Sequence, residues 1–380
     1  MKLMLVAGEA SGDAHGAGLL QELGRLDSTL EAFGVGGPQM LRAGLRPYFL
    51  MDELQVHGIT EVVRHLPRLY GKLWRLRDAL EEERPDAVLL IDYPGFNLKL
   101  ARYARAAGVP VIFFNSPQVW AWRKGRLKTI RKVVDHMLVL FPFEVEVYEQ
   151  VGVPVQWVGH PLLDQLLAEP EVQAFRKRYQ LEGEERVLTI APGSRPSEVE
   201  RHLDILLQAL PLIAQEAGAF RCLLPVAESL SPSDLQARIA QAPLPITLVD
   251  PGGFQAAIQA SDAVIVASGT ASLQAGLALT PNVIIYRVSP LTYHIAQALA
   301  QVPYIGLVNV LSGREVVPEL LQDRFTPENV AREVILLLKD RGARERMLAA
   351  LRQVREKLGE PGAYTRAAVQ IHNLIQHSHT

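Results

Sequence analysis

The sequence is poor in cysteine, with Cys222 as the single one among 380 residues. One cysteine excludes a disulfide framework and a metal site built from cysteines. It also favours a reducing compartment. Charge of one sign is equally scarce: 39 basic and 41 acidic residues leave a formal net charge of −2. No overall field therefore points to nucleic acid.

Long apolar runs are missing as well. None reaches the about 18 to 20 residues of a membrane-spanning helix, and the run before Gly8 is shorter than the about 7 residues of the smallest signal-peptide core. We therefore expect a cytoplasmic protein that touches a membrane at most from outside.

Several reaction signatures are also lacking. Four glycines between residues 8 and 18 follow an apolar opening strand, but their spacing fits neither G-x-G-x-x-G nor the P-loop. The sequence contains no Asp-x-Asp, His-Glu-x-x-His or Gly-x-Ser-x-Gly. The usual signs of a metal-held nucleotide, zinc-dependent hydrolysis and a serine esterase are thus missing, and we expect neither a metal nor a cofactor.

Short apolar runs alternate with longer helical patterns along the chain. Their continuous apolarity indicates strands buried on both faces of a parallel sheet. Two series of runs predict an α/β protein with two Rossmann-like domains, whose parallel sheets face each other across an interdomain cleft that binds the ligands. The predicted strands lie at 2–7, 86–92, 109–114 and 136–141, and then at 186–191, 220–225, 245–250, 263–267 and 282–286.

Glycine and proline punctuate residues 152–171 and mark the junction. We predict an N-terminal domain over 1–160, a C-terminal domain over 161–345, and helices over 346–380 that pack back across the domains. His160 lies at the junction, where a lone histidine fits a packing or hinge role, with a ligand contact as the alternative.

A first candidate site follows the strand at 186–191. Gly193, Ser194 and Arg195 form a turn, and Ser197 with Glu200 fits a capping box at the start of a helix. A helix N-terminus and a guanidinium both suit a phosphate. The alternative is a surface loop with its arginine in solvent, and this stretch alone does not decide between them.

A second turn, Ser268-Gly269-Thr270, follows the strand at 263–267 and opens another helix. Small residues let a backbone approach a ligand, whereas an ordinary helix cap is the alternative. Together with Arg195 the turn favours a diphosphate site. Asp92 ends the most apolar strand of the first half, where partial desolvation would make it a useful general base; capping the next turn is the alternative.

Two basic stretches could meet a membrane or phosphate. Between residues 66 and 74 leucines and aromatics recur at helical spacing among cations, which fits a helix on a membrane or a core-facing stripe with snorkelling cations. The second stretch places Trp120 and Trp122 beside Arg123 and could meet phosphate, anionic lipid or nucleic acid. Its usual meaning is a solvated helix face.

The motifs together resemble one family, the lipid-A-disaccharide synthases, which are glycosyltransferases of the GT-B fold. The resemblance runs from about residue 2 to about residue 375. It rests on "GEASGD", "IDYPGFN", "SPQVWAWRKGR", "FPFEVEVYEQVGVPVQWVGHPLLD", "APGSRPSEV", "VASGTASLQ" and "YIGLVNVLSGREVVPELLQ".

That resemblance implies an inverting, metal-independent transfer of 2,3-diacylglucosamine from its UDP-activated form to 2,3-diacylglucosamine 1-phosphate. The products are the β-1,6-linked lipid A disaccharide and UDP. It further implies peripheral association with the cytoplasmic face of the inner membrane and no nucleic-acid partner, while a homodimer stays open.

The resemblance also assigns roles to residues. It implies that Asp92 is the base and that Asn309 is linked to activity. The implied donor-binding residues are Gly193, Ser194, Arg195, Ser268, Gly269, Thr270, Gln274, Arg314 and Glu315. The implied acceptor-binding residues are Ser11, Gly12, Asp13, Trp120, Trp122 and Arg123.

One departure concerns the ribose. Gln274 stands where the family usually has a glutamate that accepts hydrogen bonds from ribose hydroxyls; an amide offers one acceptor oxygen and two donors instead. Gln274 therefore leaves open a UDP-sugar-binding homologue with impaired catalysis. A second alternative is a UDP-sugar 2-epimerase, which shares the architecture, although the long "SPQVWAW" match argues against it.

Overall fold

A computed structural model describes residues 1–54, 59–117, 119, 124–181, 183, 185–289, 293 and 303–378. The chain divides into two compact units: unit 1 contains residues 1–164 and 358–380, and unit 2 contains residues 165–357. Each unit has one parallel sheet with helices, so the expected α/β class with two Rossmann-like sheets is confirmed.

Unit 1 contains a seven-stranded parallel sheet in the order β3-β2-β1-β4-β5-β6-β7. Its strands are β1 Lys2–Ala7, β2 Glu31–Gly36, β3 Arg46–Leu50, β4 Ala87–Ile91, β5 Val111–Phe114, β6 His136–Val139 and β7 Val155–Trp157. Its first six helices are α1 Ala10–Leu26, α2 Pro38–Arg42, α3 Ile59–Glu83, α4 Pro94–Ala106, α5 Leu127–Val133 and α6 Phe143–Glu149.

Unit 2 contains a six-stranded parallel sheet in the order β10-β9-β8-β11-β12-β13. Its strands are β8 Arg186–Ala191, β9 Phe220–Pro225, β10 Ile246–Val249, β11 Ala263–Ala267, β12 Asn282–Tyr286 and β13 Glu319–Leu321. Its helices are α7 Glu169–Arg178, α8 Pro196–Ala217, α9 Pro232–Ile239, α10 Phe254–Gln259, α11 Thr270–Leu277, α12 Leu307–Ser312, α13 Pro327–Lys339 and α14 Arg341–Lys357.

The continuous apolarity of the central strands reflects burial on both faces. Along β1, Leu3 and Leu5 join one hydrophobic cluster while Met4 and Val6 join another. Successive side chains of a strand point to opposite faces, so a strand covered on both sides must be apolar at every position. Polar side chains such as Asp92 and Ser268 therefore lie just beyond the ends of the strands.

The C-terminal segment is shared between the units. Helix α14 belongs to unit 2, and the last helix, α15 Ala363–Ser378, belongs to unit 1. A Cβ on Gly18 of α1 would lie 2.6 Å from the ring of Tyr364, so the glycine allows α15 to pack closely there. The carboxylate of Asp164 accepts a hydrogen bond from the backbone N–H of Ala363 at 3.2 Å and fixes the start of α15.

His160 has a packing role in unit 1. Its ring centroid lies 5.1 Å from that of Phe141, and its Nδ1 accepts a hydrogen bond from the backbone N–H of Leu162 at 3.2 Å. Burial lowers the pKa of His160 to about 3, so the ring is neutral. Among the described helices, none is long and apolar enough to cross a membrane.

Candidate active site

A cavity of about 600 Å³ lies in unit 2 at the carboxyl ends of β8, β9, β11 and β12. Ligands of open α/β sheets bind at this edge. The cavity brings together seven of the nine residues expected to bind the donor: Gly193, Ser194, Arg195, Ser268, Gly269, Thr270 and Gln274.

The turn between β8 and α8 is closed by an acidic side chain. The carboxylate of Glu198 accepts hydrogen bonds from the backbone N–H groups of Ser194 at 3.1 Å and Arg195 at 3.3 Å. The expected capping box of Ser197 and Glu200 is wrong. Proline at the first helical position starts α8 at Pro196, which makes Glu198 the third helical residue and the acidic member of the cap.

Gly193 is required by this arrangement. Its φ is +131°, and a Cβ there would lie 2.5 Å from a carboxylate oxygen of Glu198. Both the backbone conformation and the space therefore favour glycine.

Arg195 extends from the same turn into solvent. Its side chain is 73% exposed, and its Nη1 lies 3.7 Å from Oε1 of Glu198. An ion pair this exposed contributes little to stability. The guanidinium therefore remains available as a planar donor for an anion in the cavity.

The second turn, between β11 and α11, approaches the cavity through its backbone. Gly269 has a φ of +142°, and α11 begins at Thr270. Ser268 is held by its hydroxyl, which donates to the carbonyl of Ile305 at 3.3 Å. One turn into α11, Nε2 of Gln274 donates to Oε1 of Gln165 at 3.2 Å, so one of its two amide donors already has a partner at the cavity wall.

Asn309, which the resemblance links to activity, is not among the residues that line the cavity in the described part of the chain. Its side chain is fully buried; Oδ1 accepts from the backbone N–H of Val316 at 2.8 Å, and Nδ2 donates to the carboxylate of Glu319 at 2.7 Å. The polar groups of Asn309 thus hold the segment around α12 together. In the part of the chain that the structure describes, Arg314 and Glu315 are exposed after α12 and do not line the cavity.

Asp92 lies at the end of β4 in unit 1. Burial raises the pKa of its carboxyl to about 6, and the charge of Glu9 adds to the effect. Nδ2 of Asn115 donates weakly to Oδ2 of Asp92 at 3.4 Å. A carboxyl with this pKa is mostly ionised at pH 7 and is still basic enough to take a proton from a hydroxyl.

The turn that carries Asp92 is strained. Asp92 and Tyr93 have φ values of +50° and +45°, a region that costs non-glycine residues about 1 to 3 kcal/mol each. Buried Asn97 holds the turn by donating from Nδ2 to the carbonyl of Asp92 at 2.8 Å. A Cβ on Gly8 would overlap the ring of Tyr93, so the first glycine of the opening cluster serves this packing.

The acceptor residues expected near the opening glycines separate into different roles. Ser11 is exposed in the first turn of α1, and Gly12 is buried. For Asp13 the expected acceptor contact is corrected, because its side chain is buried and both carboxylate oxygens are already used. They accept from three backbone N–H groups at the start of α2, those of Gly37 at 2.7 Å, Gln39 at 2.9 Å and Met40 at 3.0 Å. The expected residues Trp120, Trp122 and Arg123 lie outside the described residues.

Among the described residues, no group of three or more His, Cys, Asp or Glu side chains could hold a metal ion.

The sequence matches the family described as Lipid-A-disaccharide synthetase over residues 3–371. The chain belongs to this family. Lipid-A-disaccharide synthase from Anaeromyxobacter dehalogenans is 44% identical over 371 residues, which cover 97% of this chain and 96% of that relative. The protein is therefore a glycosyltransferase of lipid A biosynthesis, and the epimerase alternative is not favoured.

Solved structures show the fold. The calicheamicin glycosyltransferase CalG4 gives a TM-score of 0.63 at 17% identity, with 98% of this chain and 97% of that chain covered. UDP-GlcNAc 2-epimerase from Neisseria meningitidis, bound to UDP-GlcNAc, gives 0.63 at 12% identity, with 99% and 100% covered. The architecture is thus GT-B, which transferases and epimerases share.

Three residues at these sites were not singled out from the sequence. The charge of Glu9 raises the pKa of Asp92, Glu198 accepts from backbone N–H groups of the β8–α8 turn, and Tyr286 lines the cavity at the end of β12. Glu9 and Glu198 lie inside the motifs "GEASGD" and "APGSRPSEV", so the sequence contained a signal that these two residues belong to the sites.

Proposed function

We propose that the protein transfers a 2,3-diacylglucosamine unit from UDP to the 6-hydroxyl of 2,3-diacylglucosamine 1-phosphate. The new β-1,6 bond gives lipid A disaccharide 1-phosphate and releases UDP. The observation that carries the proposal is the cavity of unit 2, in which an exposed guanidinium and a helix start lie at neighbouring strand ends.

The donor's UDP group fits this cavity in size and charge. A volume of about 600 Å³ lies within the about 300 to 1,000 Å³ of small-molecule sites. The guanidinium of Arg195 and the N-terminus of α11 both favour a diphosphate. Because Glu198 occupies the backbone N–H groups of Ser194 and Arg195, the diphosphate depends on the Arg195 side chain rather than on that turn's backbone.

Asp92 supplies the base of the proposed reaction. Its ionised carboxylate takes the proton of the acceptor's hydroxyl as the oxygen attacks the sugar C1. The bond from C1 to the diphosphate oxygen breaks with its electron pair leaving on UDP, whose charge Arg195 stabilises. One displacement inverts C1, and no covalent intermediate with the protein is needed.

We also propose a membrane-facing surface on α3. Leu73 is buried, whereas Tyr70 and Trp74 are 40% and 51% exposed on the same helix, beside the exposed Arg75. The helix thus turns one face to the core and presents aromatic and basic side chains outside, as an interfacial helix does.

Vesicle sedimentation at low salt tests this surface. We expect the protein to bind anionic vesicles and Trp74→Ser to weaken binding. The matched control is Leu336→Ser on α13, since Leu336 is 44% exposed in unit 2. Equal binding by wild type and Trp74→Ser would contradict the surface.

The reaction is tested with purified protein and both lipid substrates. We expect release of UDP and a disaccharide 1-phosphate by mass spectrometry. Isomerisation of the UDP-sugar without acceptor would instead indicate an epimerase. UDP binding without turnover would indicate an impaired homologue.

A further inference from the structure

A buried histidine of unit 2 connects the carboxyl ends of two strands, and both strand ends line the cavity. His202 on α8 is fully buried, and its Nδ1 lies 2.6 Å from the carbonyl oxygen of Pro192, just after β8. Its Nε2 lies 2.9 Å from the backbone nitrogen of Arg287, just after β12. One imidazole is thus bonded to the main chain at both places.

The two strands joined in this way are not neighbours. The sheet order places β11 between β8 and β12. Adjacent strands are about 4.8 Å apart, so β8 and β12 lie about 10 Å apart, and the imidazole joins the residues that follow them at the carboxyl edge. β11 itself ends in the Ser268–Thr270 turn, and all three strand ends contribute to the cavity.

The hydrogen bonds fix the tautomer of the ring. A backbone N–H can only donate, so in the neutral ring Nε2 accepts from the backbone N–H of Arg287 at 2.9 Å and carries no proton; the carbonyl oxygen of Arg287 also lies 3.2 Å from Nε2 and would accept from it in the protonated ring. The proton of the neutral ring is then on Nδ1, which donates to Pro192. Burial lowers the pKa of His202, which favours this neutral form.

One partner of the histidine, Arg287, is also held through its own side chain. The guanidinium of Arg287 donates to the carbonyl groups of Gln322 at 2.9 Å and Phe325 at 2.7 Å. The ring of Phe325 meets His202 edge-on at 5.5 Å between centroids. The imidazole is therefore held on the side of Arg287 and Phe325. On its other side it contacts Pro192, and the turn that lines the cavity begins at the next residue.

We propose that His202 is a positioning residue for donor binding: by holding Pro192 it sets the place of the Gly193–Arg195 turn, and so of the guanidinium that meets the diphosphate. A buried histidine with both nitrogens satisfied could otherwise serve stability alone. The inference rests on the proposed function, because it requires UDP in the cavity.

The test compares UDP affinity, donor KM, kcat and thermal unfolding in His202→Phe, His202→Asn, His202→Gln and Leu206→Ala. Phenylalanine keeps an aromatic ring and removes both hydrogen bonds. Asparagine reaches as far as Nδ1 and can donate to Pro192, whereas glutamine reaches as far as Nε2 and can accept from Arg287. Leu206→Ala is the matched control, because Leu206 is fully buried one turn further along α8.

We expect His202→Phe to raise the UDP Kd and the donor KM about tenfold, as two lost hydrogen bonds would, with kcat at saturating donor changed less than about threefold. His202→Asn should retain more affinity than His202→Gln, because Pro192 is the end that matters for the turn. Leu206→Ala should lower the unfolding temperature and leave the UDP Kd unchanged.

The outcomes separate this inference from the proposed function. If wild type binds no UDP, or Arg195→Ala binds it as well as wild type does, the proposed function fails. If those two behave as expected but every His202 variant that folds binds UDP like wild type, the positioning role is wrong. A loss of affinity in Leu206→Ala equal to that in His202→Phe would also overturn it, since loosening of α8 would then be sufficient.

Discussion

Glu9 and Asp92 follow two paired strands at the same edge of the sheet in unit 1, and the charge of Glu9 adds to burial in raising the pKa of Asp92 to about 6. The strand register explains the proximity, because Ala7 of β1 pairs with Ile91 of β4. A second carboxylate thus helps to keep Asp92 basic, and this relationship yields two predictions.

Removal of the base is expected to stop turnover without disturbing the donor. Asp92→Asn should lower kcat by about 10² to 10⁴, the usual contribution of general base catalysis. The UDP Kd, measured by calorimetry, should stay within about twofold of wild type, because the proposed UDP site lies in unit 2. A comparable loss of UDP affinity would count against Asp92 as the base.

The pH dependence of turnover should report the Glu9 charge. A base is active when it is ionised, so kcat/KM should fall as the pH drops through about 6, the pKa of Asp92. Glu9→Gln removes a negative charge that disfavours ionisation, so the pKa of Asp92 should fall and the acid limb should move to lower pH.

The shift between the two profiles is the diagnostic quantity, because the acceptor's own phosphate also titrates at about pH 6. Asp86→Asn provides a control at the start of β4. An unchanged limb in Glu9→Gln, or one displaced to higher pH, would show that Glu9 does not act on the base.

Arg195 should contribute to UDP binding and to turnover together. Arg195→Ala removes a charged donor from the diphosphate, which typically costs about 1.5 to 3 kcal/mol, or about 10- to 150-fold in Kd. Stability should hardly change, because the side chain is 73% exposed. The control is Arg201→Ala, because Arg201 is exposed on α8, the helix that Arg195 precedes. Equal effects of both variants would remove the special role of Arg195.

Asp13 should matter for stability rather than for binding. Asp13→Ala leaves the backbone N–H groups of Gly37, Gln39 and Met40 without their acceptor, and we expect a loss of about 3 kcal/mol in the free energy of unfolding. Urea unfolding measures this loss. A variant of normal stability with a raised acceptor KM would return Asp13 to the acceptor site.

The central strands could be predicted from sequence because burial on both faces leaves no choice of residue type. β4 and β11 are apolar throughout, β1 is apolar after Lys2, and all three are predicted from the sequence. β3 and β7 were not, because edge strands are short and partly exposed and so lack a continuous apolar run. The sequence does not predict β2 either, because a glutamate and two glycines interrupt its six residues, nor β13, which has only three.

The sites show a similar division. Residues in the turns after β8 and β11 could be predicted because each directly follows a strand, and parallel strands end at one edge. Asp13 and Asn309 could not be placed, because their burial depends on backbone groups that the tertiary fold brings to them. The bridge made by His202 depends likewise on Arg287, which is 85 residues away.

The proposed reaction requires UDP to bind in the cavity of unit 2. A crystal structure of the protein with UDP is the decisive measurement. We expect the diphosphate within hydrogen-bond distance of the Arg195 guanidinium and close to the Ser268–Thr270 turn. UDP bound against the glycines between residues 8 and 18 would contradict it.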